Sequence, residues 1–430
     1  MADQRLTIVF MPESAFGPTN NCIGIGHMLE QRGHRVVFAA ESSWKGRLDP
    51  LGFEERLVDL APPSGEEQDA GQFWTDFIVE TAPEFRKSTQ EQLETFIKPV
   101  WESLIDGARY CEPQLKDILS DVNPDVIVED NVSCFPALLT HGAPWVRIMS
   151  CNPLEAKDPD IPPAFSGYSA ADRSGWGEFR NEYKRTQGEL WQATNEWVVE
   201  QGAPPLPTLE FIHESPHLNL YLYPEVADYS RSRPLGPTWK RLESSVRTTE
   251  EPFTVPHALD GEGSLVYLSL GSLGSADVDL MKRLVDVLAA TPHGYIVSKG
   301  PRADEFELAD NMWGESRLPQ TSIIPLVDLV ITHGGNNTVT ESLHFGKPMI
   351  VLPLFWDQYD NAQRMEDLGF GIRLDTYGFE DQELRSAVDA LLANENLRAE
   401  METNTSTIRE RDGTRVAADL IERVARRYPL

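Results

Sequence analysis

The feature that most constrains the fold is an alternation of apolar and amphipathic segments that occurs in both halves of the chain. In the first half, RLTIVF (residues 5–10) and RVVFAAE (35–41) have the length of buried strands, and CIGIGHMLEQRGH (22–34) between them has helical spacing. In the second half, SLVYLSLGS (264–272), DLMKRLVDVLAAT (279–291) and GYIVSKG (294–300) repeat that order. Each half therefore contains a βαβ unit, which predicts a parallel sheet with helices on its faces.

The length of 430 residues suits two domains of this kind. We therefore predict an α/β fold with two doubly wound, Rossmann-like domains that face each other across a cleft. We place the domains at residues 1–225 and 256–410, with a polar, Pro-containing linker at 226–255 between them. The remaining residues, 411–430, are predicted to form a helix, and packing back on the first domain is one option for it.

The chain is strongly acidic, with 38 Lys and Arg against 68 Asp and Glu and a formal net charge of −30. Such a charge repels nucleic acids and anionic lipids at long range, so we expect no nucleic-acid partner. A small anion can still bind at the start of a helix, because the local dipole outweighs a distant net charge. No apolar run approaches the ~18 residues of a membrane span.

The amino terminus and the cysteines indicate where the protein works. MADQRLTIVFMP (1–12) is typical of a first strand rather than of a signal peptide. The four cysteines show no CxxC spacing, which favours buried thiols in a reducing compartment. We therefore expect a cytoplasmic protein, and the sequence does not indicate its oligomeric state.

The stretch ITHGGNNTVTESL (331–343) begins as an apolar strand and ends as a helix. It lies beyond a parallel strand, where open α/β sheets bind ligands, and the first amides of its helix have no intrahelical partner. Gly334 and Gly335 would let a bulky anion approach the backbone. Three side chains can add neutral donors: His333, Asn337 and Thr338. We interpret this stretch as a phosphate site that needs no lysine.

Three shorter patterns each leave an alternative open. Thr338-x-x-Glu341 fits a helix capping box as well as a ligand contact. Asp357-Gln358, in FWDQYDN (355–361), offers the acceptors and donors that a polyol requires, or else simply begins a helix. The aromatic residues of 60–110 and 152–215 either fill a core or line a pocket for a planar or lipophilic ligand, with Trp176 among the pocket candidates.

Residues 331–371, ITHGGNNTVTESLHFGKPMIVLPLFWDQYDNAQRMEDLGFG, resemble the donor-binding motif of family 1 (UDP-glycosyltransferase-like) glycosyltransferases of the GT-B type, including bacterial macrolide and natural-product enzymes. The resemblance implies a UDP- or TDP-sugar as co-substrate, with no cofactor and no metal. It assigns the diphosphate to the 333–338 segment and Ser272, the ribose to Glu341, and the sugar to Asp357 and Gln358. The donor-binding residues it implies are Ser272, Arg317, Gln320, His333, Gly335, Asn336, Asn337, Thr338, Glu341, Trp356, Asp357 and Gln358.

Two positions depart from the family's pattern. Arg317 stands where those enzymes commonly carry a Trp that stacks on the base, although a guanidinium can also stack on a planar ring. Pro18 stands where they carry a catalytic His, so the usual general base is absent. Asp130, which matches the family's orienting acid, is our principal candidate for the base, and Glu13 is the second.

These observations predict an inverting, metal-independent transfer of a hexosyl group to a hydroxyl of a small lipophilic or phenolic natural product. The alternatives are a nucleotide-sugar epimerase, or a protein that binds a nucleotide sugar without transferring it. The expected partners are therefore a nucleotide sugar and a small-molecule acceptor.

Overall fold

The computed structural model describes residues 5–62, 72–259, 261 and 263–430, and these form two parallel sheets. The strands of the first sheet are β1 (Thr7–Pro12), β2 (Arg35–Glu41), β3 (Glu54–Val58), β4 (Val126–Asp130), β5 (Trp145–Met149), β6 (Leu218–Tyr221) and β7 (Trp239–Arg241). Those of the second sheet are β8 (Leu265–Ser269), β9 (Gly294–Ser298), β10 (Met312–Glu315), β11 (Leu329–Thr332), β12 (Met349–Val351) and β13 (Gly371–Arg373). The predicted α/β architecture is confirmed.

Helices connect the strands of each sheet. In the first half they are α1 (Phe16–Gln31), α2 (Gln72–Thr81), α3 (Thr89–Gln92), α4 (Lys98–Val122), α5 (Pro136–Thr140) and α6 (Trp176–Glu200). In the second half they are α7 (Gly271–Gly274), α8 (Val278–Ala289), α9 (Gln320–Ile323), α10 (Asn336–His344), α11 (Gln358–Leu368), α12 (Asp381–Leu392), α13 (Glu395–Glu410) and α14 (Gly413–Ala425). None of the helices in the described part of the chain is both long and apolar enough to cross a membrane.

The strand order reverses once in each sheet, and the reversal fixes where ligands can bind. The first sheet has the order β3-β2-β1-β4-β5-β6-β7, and the second has β10-β9-β8-β11-β12-β13. A crevice opens at such a reversal beyond the carboxyl ends of the strands. In the first sheet it lies after Pro12 and Asp130, which are register partners. In the second it lies after Ser269 and Thr332, which are also register partners.

Two elements differ from the prediction. Helix α1 begins at Phe16, so the segment Gly17 to Asn20, predicted as loop, forms its first turns. Pro18 is tolerated there because the first amides of a helix have no intrahelical partner. The predicted linker contains β7 (Trp239–Arg241), which pairs with β6, so the first sheet extends beyond residue 225.

The last helix returns to the first half of the molecule. Ala417, Ala418 and Ile421 of α14 are buried in the cluster that packs on the first sheet. Arg32, just after α1, pairs with Asp419 at 2.8 Å. Nearby, His34 Nε2 lies 3.0 Å from Glu422 Oε1. The structure therefore places the C-terminal helix against α1, in the same cluster of buried residues on the first sheet.

One buried carboxyl of β4 is not satisfied by a hydrogen bond. Glu129 is 1% exposed, and neither of its carboxyl oxygens has a hydrogen-bond partner among the described atoms. Its register partner on β5 is Arg147, which forms an ion pair with Glu155. Burial raises the pKa of Glu129 to about 8, and the charge of Arg147 acts in the opposite direction. Glu129 is therefore predominantly protonated at neutral pH.

We expect Glu129→Gln to stabilise the protein relative to the wild type increasingly as the pH rises from 4.5 to 8. The folded-state pKa is raised from 4.5, so the contribution of Glu129 to stability is present below pH 4.5 and is lost as the pH rises through 8. Glutamine has no such titration. Urea unfolding of both proteins at several pH values measures the difference, and exposed Glu200→Gln serves as the control. A difference that does not change with pH would contradict the raised pKa.

Candidate active site

The first turn of α10 begins where β11 ends and faces the first turn of α1. Gly335 is the N-cap residue of α10, and no side chain caps the helix. Its first amides are therefore available to a ligand at the positive end of the helix dipole. Across the cleft, Asn337 Nδ2 donates to the Gly17 carbonyl at 3.0 Å. The two helix N-termini thus form the walls of one crevice.

The His333 ring fills the space that two glycines leave. A Cβ on Gly271 would lie 2.6 Å from His333 Cε1, and a Cβ on Gly335 would lie 2.6 Å from His333 Nε2. Beside Gly334, the neighbours of a Cβ would be Val351 and the Gln358 backbone. The space that a Cβ would take is therefore filled by protein and not left for an anion. At Gly335 it is filled by the His333 imidazole, and at Gly334 by Val351 and the Gln358 backbone. An anion could still bind the Gly335 amide itself.

His333 is a neutral group in this position. Burial lowers its pKa to about 4, although a hydrogen bond with the Ser269 backbone acts in the opposite direction. The ring remains partly accessible, as do Ser272, Gly335 and Asn337. The structure therefore brings four of the predicted diphosphate contacts to the crevice, and they offer neutral hydrogen bonds.

Glu341 lies inside α10 and does not form a capping box with Thr338. Arg247 Nη1 donates to Glu341 Oε1 at 2.8 Å, and Gln320 Nε2 donates to Glu341 Oε2 at 2.6 Å. Gln320 Nε2 also lies 3.2 Å from Thr338 Oγ1. The capping-box alternative is wrong because Gly335 occupies the N-cap, which leaves both polar side chains a turn too far along the helix. Burial raises the pKa of Glu341, and Arg247 opposes that rise.

Arg247 is a site residue that the sequence did not reveal. It lies in the segment between the sheets, is 8% exposed, and forms a second ion pair with Glu250. Glu250 in turn accepts a hydrogen bond from the amide of Thr321 at 2.7 Å, next to Gln320. No spacing pattern marks such a residue, because its partners are 94 and 3 positions away.

Asn336 joins the two halves of the molecule. Its Nδ2 donates to the carbonyls of Ser150, at 2.8 Å, and Leu222, at 3.1 Å, which follow β5 and β6. The residue is 7% exposed. In this structure the amide nitrogen predicted to contact the donor is thus engaged between the two halves. Only its neighbour Asn337 remains at the crevice.

The segment after β12 carries the residues predicted to hold the sugar. Asp357 Oδ2 accepts a hydrogen bond from the Asn152 amide at 2.8 Å, and burial raises the Asp357 pKa to about 7. Gln358 Oε1 accepts from the amides of Leu354 and Phe355, at 3.0 and 3.2 Å, so its carbonyl group shapes the local turn.

Trp356, which was predicted to contact the donor, packs into an aromatic cluster. Its backbone has a φ of 57°, an uncommon value for a residue with a side chain. Its ring centroid lies 5.1 Å from that of Trp101 and 4.5 Å from that of Phe165. The cluster therefore combines residues of both halves of the chain.

Arg317 stacks on an aromatic ring of the opposite half. Its guanidinium carbon lies 4.7 Å from the centroid of Phe16, at the start of α1. Phe16 in turn contacts Trp44, with 5.2 Å between ring centroids. Arg317 thus makes a cation–π contact with a ring of the first half, and its stacking on a base stays a prediction.

The two candidate bases lie at the reversal of the first sheet. Asp130 is 2% exposed, and its carboxylate accepts from Ser150 Oγ at 2.6 Å and from Asn21 Nδ2 at 3.4 Å. Burial raises its pKa well above the usual value, which those two hydrogen bonds oppose. Glu13 is partly exposed and accepts from the Ala15 amide at 2.9 Å. Ser150, which the sequence did not reveal, links the buried acid to the surface of the crevice.

Some of the aromatic residues fill core, and others line a cavity. Trp101, Phe165, Phe211 and Trp356 line a small cavity between the two halves. Trp176 is 3% exposed and lines neither this cavity nor the larger one beside it, so it is a core residue.

Within the described ranges, no group of three or more His, Cys, Asp or Glu side chains is arranged to hold a metal ion. The DPD sequence at 158–160 has other contacts. Asp158 accepts from the amide of Asp160 at 2.8 Å, and Asp160 pairs with Arg173 at 3.2 Å.

Comparison with known proteins gives one family and consistent relatives. Residues 253–411 match the family described as UDP-glucoronosyl and UDP-glucosyl transferase. The chain is 22% identical over 425 residues to NDP-glycosyltransferase YjiC of Bacillus subtilis (strain 168), covering 98% of this chain and 97% of that protein. It is 25% identical over 421 residues to the oleandomycin glycosyltransferase of Streptomyces antibioticus, covering 95% and 88%.

Solved structures share the whole fold. The glycotransferase of kitacinnamycin superposes with a TM-score of 0.72 at 21% identity, covering 98% of this chain and 99% of that one. The glycosyltransferase VinC in complex with DTDP superposes with a TM-score of 0.65 at 18% identity, covering 98% and 100%. The predicted two-domain fold and the predicted enzyme class are confirmed.

We expect Asn336→Ala to destabilise the protein more than Asn337→Ala. The first variant leaves the buried carbonyls of Ser150 and Leu222 without their donor, which costs about 1–3 kcal/mol, whereas the second loses one bond in a partly exposed position. Thermal and urea unfolding of the two variants provide the measurement. Equal stability of both would show that the bridge between the halves does not depend on Asn336.

Proposed function

From the premise that this chain is a GT-B glycosyltransferase resembling the family 1 natural-product enzymes, we propose that it transfers a hexosyl group from a UDP- or TDP-sugar to a hydroxyl of a small lipophilic or phenolic acceptor. One observation carries this proposal. The uncapped N-terminus of α10 lies at the reversal of the second sheet and faces the first turn of α1. A diphosphate bound there would be held by fixed amides and neutral side chains.

On the donor side, the α10 amides, His333, Asn337 and Ser272 would hold the diphosphate. They would stabilise the charge that develops as the sugar leaves, with no metal required. The ribose hydroxyls would donate hydrogen bonds to Glu341, in competition with Arg247 and Gln320. Arg317 would cover the base. That VinC was solved in complex with DTDP supports a nucleoside diphosphate as a ligand of this chain and leaves both UDP and TDP open.

On the acceptor side, we assign Asp130 as the principal base of an inverting displacement. The acceptor oxygen would bond to the anomeric carbon as the bond between that carbon and the diphosphate oxygen breaks. The acceptor proton would pass to the Asp130 carboxylate, directly or along the Ser150 hydroxyl that donates to it at 2.6 Å. Glu13 is the second candidate, because its carboxylate is more accessible.

The same reasoning extends to the organisation of the enzyme. We propose that residues 1–225 bind the acceptor and residues 256–410 bind the donor, with residues 411–430 fastening the donor unit to the first sheet. All four cysteines are unpaired thiols, which favours a reducing compartment such as the cytoplasm.

The first experiment follows nucleoside diphosphate release from UDP- and TDP-glucose with and without a panel of phenols. We expect release to depend on the acceptor, to persist in EDTA, and to give a β-glucoside from the α-linked donor, as read by the proton coupling of the anomeric carbon. No release under any condition would favour the binder, whereas release without any acceptor, or a change in the sugar of recovered donor, would favour the epimerase.

The second experiment compares the two candidate bases. We expect Asp130→Asn to lower kcat by about 10²–10⁴, and Glu13→Gln to lower it much less. Because the pKa of Asp130 is raised and the carboxylate is the active form, wild-type kcat/KM should fall as the pH drops through that raised pKa. Steady-state kinetics over a pH range provide the measurement. Full kcat in Asp130→Asn with a strong loss in Glu13→Gln would exchange the two roles.

A further inference from the structure

Two adjoining cavities lie on the acceptor side of the crevice. The outer one has a volume of 330 Å³, and its walls include Pro159, Pro162, Pro163, Phe179 and Leu209. The inner one has a volume of 20 Å³, enough for about one water-sized group, and it borders Asp357, the residue proposed for the donor sugar. Three residues belong to the walls of both: Lys157, Ala164 and Tyr183. A molecule in the outer cavity that extends past these three residues would therefore reach the proposed donor site.

Two buried polar groups on the wall of the inner cavity have unused hydrogen-bond capacity. Trp101 is 5% exposed and Tyr183 is 7% exposed, and both line the cavity. Among the described residues, neither Trp101 Nε1 nor Tyr183 Oη has a partner that meets hydrogen-bond geometry, although Trp101 and Lys157 are close enough to affect the pKa of Tyr183. Buried groups of this kind are normally satisfied, because leaving one unpaired costs free energy. An indole N–H can only donate, and a phenol O–H can donate, so together they suit an oxygen with two lone pairs.

Two charged groups on the same wall, Lys157 and Asp360, already have hydrogen-bond partners in the protein. Lys157 Nζ donates to Glu210 Oε2 at 3.0 Å and to the Leu209 carbonyl at 2.7 Å. Asp360 accepts from the amides of Phe165 and Gly167, at 2.6 and 2.8 Å. Lys157 and Asp360 are therefore already hydrogen-bonded to protein groups.

One acceptor atom complements these donors. Glu155 Oε2, on the same wall, is buried without a hydrogen-bond partner among the described atoms, while Arg147 pairs with the other oxygen. It suits a hydroxyl group of the same ligand.

We propose that the acceptor carries a carbonyl oxygen that Trp101 Nε1 and Tyr183 Oη bind in the inner cavity, while its apolar body occupies the outer cavity. Trp101 and Tyr183 are then specificity residues for hydroxy-carbonyl compounds, and a carbonyl-free molecule of the same shape leaves both donors unpaired. That this ligand is glycosylated rests on the proposed function, whereas its binding does not.

The test uses two probes of matched shape, 4-hydroxybenzophenone and 4-benzylphenol, which differ by one carbonyl group. Their affinities are measured calorimetrically without donor on four proteins: the wild type, Trp101→Phe, Tyr183→Phe and Trp176→Phe. Trp176 is the matched control, because its buried Nε1 is also unpartnered but it lines neither cavity. Comparing the ratio of the two affinities between proteins cancels the difference in acidity of the two phenols. Sugar transfer to both probes is measured in parallel.

We expect the wild type to prefer the ketone. Trp101→Phe and Tyr183→Phe should each reduce that preference about fivefold, the effect of one neutral hydrogen bond, and Trp176→Phe should leave it unchanged. Tyr183→Phe should also melt at or above the wild-type Tm, because it removes an unsatisfied group.

Several outcomes would overturn the inference. One is that the wild type binds neither probe. A second is that both cavity variants keep the wild-type preference for the ketone. A third is a Tm of Tyr183→Phe clearly below that of the wild type, which would show that the hydroxyl has a hydrogen-bond partner inside the protein. Selective binding without sugar transfer from any donor would instead contradict the proposed function and leave this inference standing.

Discussion

Amide side chains that cross the cleft hold the two sheets in the one arrangement in which their ligand crevices meet. Asn336 reaches the carbonyls that follow β5 and β6, and Asn337 reaches the carbonyl of Gly17. Asn361 extends the same network, since its Nδ2 donates to the Gly334 carbonyl at 2.9 Å and its Oδ1 accepts from Asn152 Nδ2 at 2.8 Å. Because these bonds start from the turn that begins α10, the helix terminus that would bind the diphosphate is fixed by the same contacts that join the halves.

The protein is strongly acidic, yet its proposed ligand is an anion, and the site resolves this conflict locally. The groups at the crevice are fixed amides, a neutral His333 and amide side chains, so the site gains donors without depending on the net charge. The buried cation beside Glu341 is Arg247, and it is shared between Glu341 and Glu250. Elsewhere burial raises the pKa of Asp357 to about 7 and that of Asp360 to about 8, which reduces the negative charge near the position proposed for the sugar.

The sequence was sufficient for features that a local pattern encodes. Apolar runs of strand length identified β1, β2, β8 and β9, and the Gly-Asn-Thr segment identified the turn into α10. It was insufficient where a partner lies far along the chain. Arg247 and Ser150 acquire their roles only through contacts with Glu341 and Asp130, and β7 is a strand only because β6 offers it an edge. The surroundings of Gly334 and Gly335 could not be inferred either, because a Cβ on Gly334 would meet Val351 and Gln358, which lie further along the chain, and a Cβ on Gly335 would meet the folded-back ring of His333.

The proposed acceptor cavity also depends on both halves, which would tie the choice of acceptor to the proposed donor unit. Trp101 and Phe165 come from the first half of the chain, and Trp356 and Asp357 come from the second. Hydrogen bonds across the cleft hold the loop that carries Phe165. Asp360 accepts hydrogen bonds from two backbone amides of this loop, and Arg373 Nη1 donates to the Gly167 carbonyl at 2.9 Å. Gly167 has a φ of 61°, and a Cβ there would lie 2.9 Å from that of Tyr359, so the contact is close. A cavity built in this way is complete only when the two units meet, and a ligand seated in it necessarily lies beside the proposed donor site.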